Sequence, residues 1–121
     1  MKPTILVIED NEQNLYLTTF ILEKTGYQVA QARDGQTGIE LAAQLQPALI
    51  LLDVQLPVMD GYAVAQALRR NVTLAQVPIV AVTSYAMVGD RERVLAAGCD
   101  GYIEKPINPE TFVTDIERFF K

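Results

Sequence analysis

What most constrains the fold of this chain is an alternation of strand-length apolar runs with amphipathic helical patterns, repeated from the first residues to the last. Ile5-Leu6-Val7-Ile8, Ala48 to Leu52 and Ile79 to Val82 are continuous apolar runs of strand length. Runs of that kind are expected of parallel strands covered on both faces. Gln28-Val29-Ala30-Gln31-Ala32 alternates instead, and Gly101-Tyr102-Ile103 is very short. These two predict edge strands flanking three central ones.

The intervening segments carry helix punctuation. Asp10 or Asn11 caps a helix running to about Thr25, with Gly26 just beyond its end. A second helix follows Asp34-Gly35, places Gly38, Leu41, Ala42 and Leu45 on one stripe, and stops before Pro47. The third spans about Tyr62 to Arg70 and buries Val64, Ala65 and Leu68, with Asp60-Gly61 as its turn and start. The fourth runs from about Gly89 to Ala97, buries Val94 and Leu95, and ends at Gly98. The fifth opens at Asn108-Pro109, a cap followed by proline at the first helical position, and lines up Phe112, Val113, Ile116, Phe119 and Phe120. A strict βα order implies right-handed crossovers, so the predicted fold is α/β: a (βα)5 doubly wound, three-layer arrangement with a parallel sheet between helices.

Composition narrows the chemistry. At 121 residues the chain is one domain, 1–121, with half of its residues apolar and 21% charged, enough to bury a substantial core. Ten basic against 15 acidic residues give a net charge of −5, with no basic cluster beyond Arg69-Arg70. That field disfavours nucleic acid and anionic lipid. No apolar stretch approaches the roughly 20 residues of a membrane span, and the start lacks a signal-peptide core, so no membrane association and a cytoplasmic location are expected. Cys99 stands alone and histidine is absent, which removes disulfides, cysteine-based metal knuckles, typical zinc sites and histidine catalysis. Cys99 itself reads as a small packed or partly exposed residue near a helix end.

In open α/β sheets the functional crevice lies outside the carboxyl ends of the strands. The first strand ends in Glu9-Asp10, the third in Asp53, the fourth in Thr83-Ser84, and the fifth runs through Glu104 into Lys105-Pro106. Taken singly, Asp10 reads as a helix cap, Thr83 as a turn residue and Lys105 as a solvated amine. Together they bring three acids, a hydroxyl and an amine to one sheet edge. Two unit charges about 4 Å apart repel by roughly 4 kcal/mol at an effective dielectric near 20, so the acids need a cation. Oxygen ligands without His or Cys suit Mg²⁺. The set matches an acceptor site for phosphoryl transfer, with Asp53, at the end of the middle strand, as nucleophile.

At these residues the chain resembles the receiver domain of bacterial response regulators, the phospho-acceptor module of two-component signalling. The matching motifs are Ile5 to Asn11, Leu51 to Gly61, Val82-Thr83-Ser84-Tyr85-Ala86 and Gly98 to Pro106, and the likeness spans essentially the whole chain. The resemblance implies a chemotaxis-receiver (flavodoxin-like) fold with strand order 2-1-3-4-5. It implies phosphorylation on Asp53, contacts to the phosphoryl group from Thr83 and Lys105, and Mg²⁺ held by Glu9, Asp10, Asp53 and the backbone carbonyl of Gln55. Thr83 and Tyr102 match the family's switch pair, and Lys105-Pro106 a bond that is usually cis. Gln55 and Tyr85 occupy variable positions bordering the site, and the bulk of Tyr85 is expected to prolong the life of the phosphoryl group. Such a domain is a signalling phospho-acceptor that catalyses only its own phosphorylation and dephosphorylation. Its implied partners are a histidine kinase or phosphotransfer protein and a downstream protein target, bound through the face of the fourth helix, fifth strand and fifth helix. A monomer or weak phosphorylation-dependent dimer is expected, with no effector domain in 1–121.

Three other readings share parts of this pattern. A haloacid-dehalogenase-type phosphatase needs a second acid two residues after its nucleophile, where this chain has Gln55. A flavodoxin-like FMN carrier would place its phosphate beside Glu9-Asp10, which repel it. A non-phosphorylated receiver-like scaffold that binds a partner protein has no need of the full acid, threonine and lysine set.

Overall fold

The computed structural model of the chain describes residues 3–84 and 88–120, with Val88 as backbone only. Its elements are β1 (Thr4–Ile8), α1 (Glu12–Lys24), β2 (Gln28–Ala32), α2 (Gly35–Leu45), β3 (Leu49–Asp53), α3 (Gly61–Arg70), a 3-10 turn (Val72–Leu74), β4 (Ile79–Thr83), α4 (Val88–Ala96), β5 (Gly101–Glu104) and α5 (Phe112–Glu117). The strands form one parallel sheet in the order β2-β1-β3-β4-β5, as the resemblance implied. The alternating run Gln28–Ala32 and the short run at Gly101 take the edges.

Strand periodicity divides the core in two. Leu6, Ile8, Ile50, Leu52 and Ala81 pack toward α2, α3 and α4, meeting Ala42, Val64, Ala65, Leu68 and Val94. Ile5, Val7, Leu49, Leu51, Val80 and Val82 face the other way, onto Leu15, Leu22, Phe112 and Ile116 of α1 and α5. Every residue of β3 and β4 is buried. Because both faces are covered, these strands show continuous apolar runs in place of alternation.

Side-chain caps form at three helices, the one at Asn11 as expected, those at Asp34 and Asp60 at positions read from the sequence only as turn and helix start. Asn11, Asp34 and Asp60 accept hydrogen bonds from the backbone amides of Asn14, Thr37 and Ala63. The 3-10 turn had no counterpart among the sequence expectations. Three further expectations fail locally. Leu45 is 46% exposed and Leu95 49% exposed: around their helices Leu45 is turned about 60° from the buried Ala42 and Leu95 about 100° from the buried Val94, which takes both off the covered stripe. The fifth helix begins at Phe112, three residues later than the span beginning at Pro109. Asn108 caps a turn there: its side chain accepts from the Glu110 amide, and its carbonyl accepts from the Thr111 and Phe112 amides. Phe119 and Phe120 follow the helix and still contribute apolar cover, with Phe120 stacked on Tyr27 at 5.8 Å between ring centroids. The Tyr27 hydroxyl also donates to Glu117, tying α5 to the turn before β2.

Two loops carry features no periodicity predicts. Val58 has φ +66° and is fully exposed, and the Met59 amide donates to the Pro57 carbonyl at 2.7 Å across it. That is a γ-turn of the uncommon, strained kind. Arg69, at the end of α3, donates to the carbonyls of Gly98, Leu74 and Val77 and to Asp100 at 2.6 Å. Asp100 also accepts from the Ile79 amide, so one ion pair joins the entry of β4 to the turn before β5.

Candidate functional site

The site is built on the carboxyl edge of the sheet, where β1 and β3 lie side by side in register, Ile8 opposite Leu52. The two residues that follow β1 and the last residue of β3 therefore meet. Glu9, Asp10 and Asp53 each place a carboxylate oxygen within 4.8 Å of the others. Glu9 is buried, with its backbone amide donating to the Ala32 carbonyl at 2.9 Å, whereas Asp10 is exposed. Asp53 is 3% exposed and its Oδ1 accepts from the Gln55 amide at 2.9 Å.

Lys105 closes the arrangement from the next strand but one. Its backbone amide donates to the Thr83 carbonyl at 2.8 Å, continuing the β4–β5 pairing by one residue. Its Nζ then lies 3.2 Å from Glu9 Oε1 and 3.3 Å from Asp53 Oδ1. The Lys105-Pro106 peptide is cis, as the resemblance implied. Thr83 ends β4 with its side chain buried, one residue beyond Val82, the partner of Asp53.

The loop behind Asp53 is seated by Gly61. A Cβ at that position would fall 2.5 Å from the Val54 Cα and 2.7 Å from the Asp53 carbonyl oxygen. The Gly61 amide donates to the Val54 carbonyl at 2.9 Å. The start of α3 thus presses directly on the backbone that carries the acid. In the sequence Asp60-Gly61 reads only as turn and helix start, and the close approach of Gly61 is what that reading missed.

One lysine does not balance these acids. Burial, followed by a hydrogen bond to Asp53 and its negative charge, raises Glu9 from an ordinary 4.5 to about 7, against the opposing pull of Lys105 and the Asn11 amide. A cluster that drives one of its own carboxylates toward the protonated state has room for more positive charge. The donors available are carboxylate and carbonyl oxygens, the set that suits a hard divalent cation. The site residues fit Mg²⁺ on that chemistry.

The remaining residues singled out in the sequence lie around this centre. The Gln55 side chain is exposed beside it. Tyr102, opposite Ala81 in β5, is half-buried against the α2–α4 side of the core, with the Arg91 guanidinium over its ring. Tyr85 lies outside the described residues. Cys99 is buried away from the acids, and burial raises its thiol to about 12. Among the described residues no helix is long and apolar enough to cross a membrane.

Comparison with known proteins agrees with this geometry. The family model for the response regulator receiver domain matches residues 5–117. The polar-differentiation response regulator DivK of Brucella anthropi is 38% identical over 119 residues, covering 98% of this chain and 97% of that protein. Among solved structures, the chemotaxis protein CheY4 of Vibrio cholerae superposes with a TM-score of 0.95 at 27% identity, over 99% of this chain and 100% of that one. The receiver domain of the sensor histidine kinase PA1611 of Pseudomonas aeruginosa, which has a magnesium ion coordinated in its active site cleft, gives 0.91 at 34% identity over 98% of each chain. The acid cluster, its lysine and the 2-1-3-4-5 sheet stand in a chain that belongs to the response regulator receiver domain family.

Proposed function

We propose that this chain, as a single phospho-acceptor domain over 1–121, takes a phosphoryl group onto Asp53 from a phosphohistidine on a histidine kinase or phosphotransfer protein. The observation that carries this reading is the Lys105 ammonium bridging the buried Glu9 and Asp53 carboxylates at the end of the central strands. An Asp53 carboxylate oxygen attacks phosphorus; the O–P bond forms as the N–P bond breaks, and the electron pair leaves with the imidazole nitrogen, which then takes a proton from solvent. Lys105 orients Asp53 beforehand and offers a positive charge to the incoming phosphoryl oxygens. The Gln55 amide fixes the second constraint on the same carboxylate. Thr83 supplies a hydroxyl donor at the adjacent strand end. Glu9, Asp10, Asp53 and the Gln55 carbonyl would hold Mg²⁺. When bound, it supplies the charge that offsets the three carboxylates and the phosphoryl oxygens.

Phosphorylation then draws Thr83 and Lys105 toward the new charge and biases the position of Tyr102 on the face of α4, β5 and α5, where a downstream protein binds. The chain acts in the cytoplasm as a signalling protein, and its chemistry is confined to gaining and losing its own phosphoryl group.

Intact mass after incubation with acetyl phosphate tests the reading. One added phosphoryl mass is expected with Mg²⁺, little without it, and none in Asp53→Asn. No phosphoryl mass under any condition would overturn the proposal in favour of a binding scaffold.

A further inference from the structure

Helix α4 is thinly anchored. Among its described side chains Val94 alone is buried, while Arg91, Glu92, Arg93, Leu95 and Ala96 are exposed. Against α3 it leaves an open groove of about 310 Å³, lined by Tyr62, Gln66, Arg93 and Ala96 among others. Short helices owe their stability mainly to tertiary packing of one face, and a single buried valine is a small share of such packing.

Two arginines supply what the apolar face lacks. Residues two apart on a helix point about 200° from each other. Arg91 and Arg93 therefore reach opposite flanks. The Arg91 guanidinium lies 5.1 Å from the centroid of Tyr102 on β5, and that of Arg93 lies 3.9 Å from the centroid of Tyr62 on α3. Among the described residues neither guanidinium has a carboxylate within ion-pair distance, although Asp90 and Glu92 are neighbours in sequence. Both cations thus spend their charge on rings.

We propose that Arg91 and Arg93 form a two-sided cation–π clamp that fixes the resting position of α4, and that Arg91 is thereby a positioning residue for Tyr102. Each stack ties the helix to a different element, β5 on one side and α3 on the other, so loss of either lets α4 lean toward the remaining partner. The Tyr102 ring is held by a charge that any movement of the ring away from Arg91 must release. The clamp's part in signalling rests on the phospho-acceptor reading above; its existence does not.

The test is hydrogen exchange on the full chain, unphosphorylated and without Mg²⁺, for Arg91→Met, Arg93→Met and the double variant. Methionine keeps the apolar stem and removes the cation. Exchange of the α4 amides should rise roughly two- to five-fold for each substitution, and Arg→Lys at the same positions should restore part of the protection. Tyrosine ring ¹³C resonances should shift at Tyr102 in Arg91→Met and at Tyr62 in Arg93→Met. Wild-type exchange in the methionine variants overturns the clamp, as does a rise shared equally by α1 and α2. Intact mass with acetyl phosphate is read in parallel. Absent phosphoryl uptake by the wild type sinks the phospho-acceptor reading and leaves the clamp standing, whereas normal uptake with unchanged α4 exchange does the reverse.

Discussion

Lys105 Nζ stands 3.3 Å from Asp53 Oδ1, and the same ammonium is shared with Glu9, so one positive charge serves two buried carboxylates. Burial first, and then the hydrogen bond and negative charge of Asp53, favour protonation of Glu9 in the folded state against the pull of that lysine, raising its value from 4.5 to about 7. A raised acid contributes stability that is fully present below its unfolded value and lost as pH rises through its folded one. Without divalent cations the melting temperature should fall between pH 5 and pH 7.5, by an amount equivalent to a few kcal/mol at most. Asp53→Asn removes the like charge and should flatten this decline. Thermal denaturation in EDTA across that range checks both, and an equal slope in the two proteins would refute the assignment.

Gly61 bears on the backbone of Val54 and Asp53, which cannot swing aside as a flexible side chain would. Gly61→Ala should cost about 1–3 kcal/mol in urea denaturation, the range of overpacking in a filled core. It should also slow phosphoryl uptake from acetyl phosphate, because the strain falls on the residue that carries the acceptor.

Val58 holds a positive φ with a β-branched side chain that is fully exposed. A sparsely populated conformation at positive φ costs such a residue on the order of 1–3 kcal/mol, and asparagine populates positive φ more readily. Val58→Asn should raise stability by about 0.5–1 kcal/mol, read from the urea midpoint at unchanged slope. A lower midpoint would show that the loop draws support from the valine.

Cys99 is buried, and its thiol is raised to about 12 by that burial, with Arg69 only partly opposing. The thiolate is the reactive form. Native protein at pH 8 should react with a disulfide reagent many-fold more slowly than protein unfolded in urea, and reaction at equal rates would contradict the burial.

Much of the fold was legible because parallel strands buried on both faces leave uninterrupted apolar runs such as Ile79 to Val82, and because the cap Asn11 and the turn pairs Asp34-Gly35 and Asp60-Gly61 mark helix starts by local signatures. The convergence of Glu9, Asp10, Asp53 and Lys105 was legible for a related reason: strand ends in a parallel sheet share one edge, so position along each strand fixes proximity. What escaped was decided by contacts between distant segments. Leu95 is apolar yet exposed, since only the placement of α4 over β5 determines which of its sides is inside. The stacks of Arg91 on Tyr102 and Arg93 on Tyr62, and the clasp of Arg69 on Asp100, join elements whose pairing no spacing encodes.

The clasp between Tyr27 and the segment from Glu117 to Phe120 sits before the first residue of β2, at the amino edge of the sheet, while Asp53 closes β3 at the carboxyl edge. With five-residue strands that separation is roughly 15 Å. Damage at one edge is thus insulated from chemistry at the other. Tyr27→Phe combined with a change at Asp53 should show stability effects that sum to within about 0.5 kcal/mol, which makes the tyrosine clasp a dial for lowering the durability of the molecule without touching its reactive end.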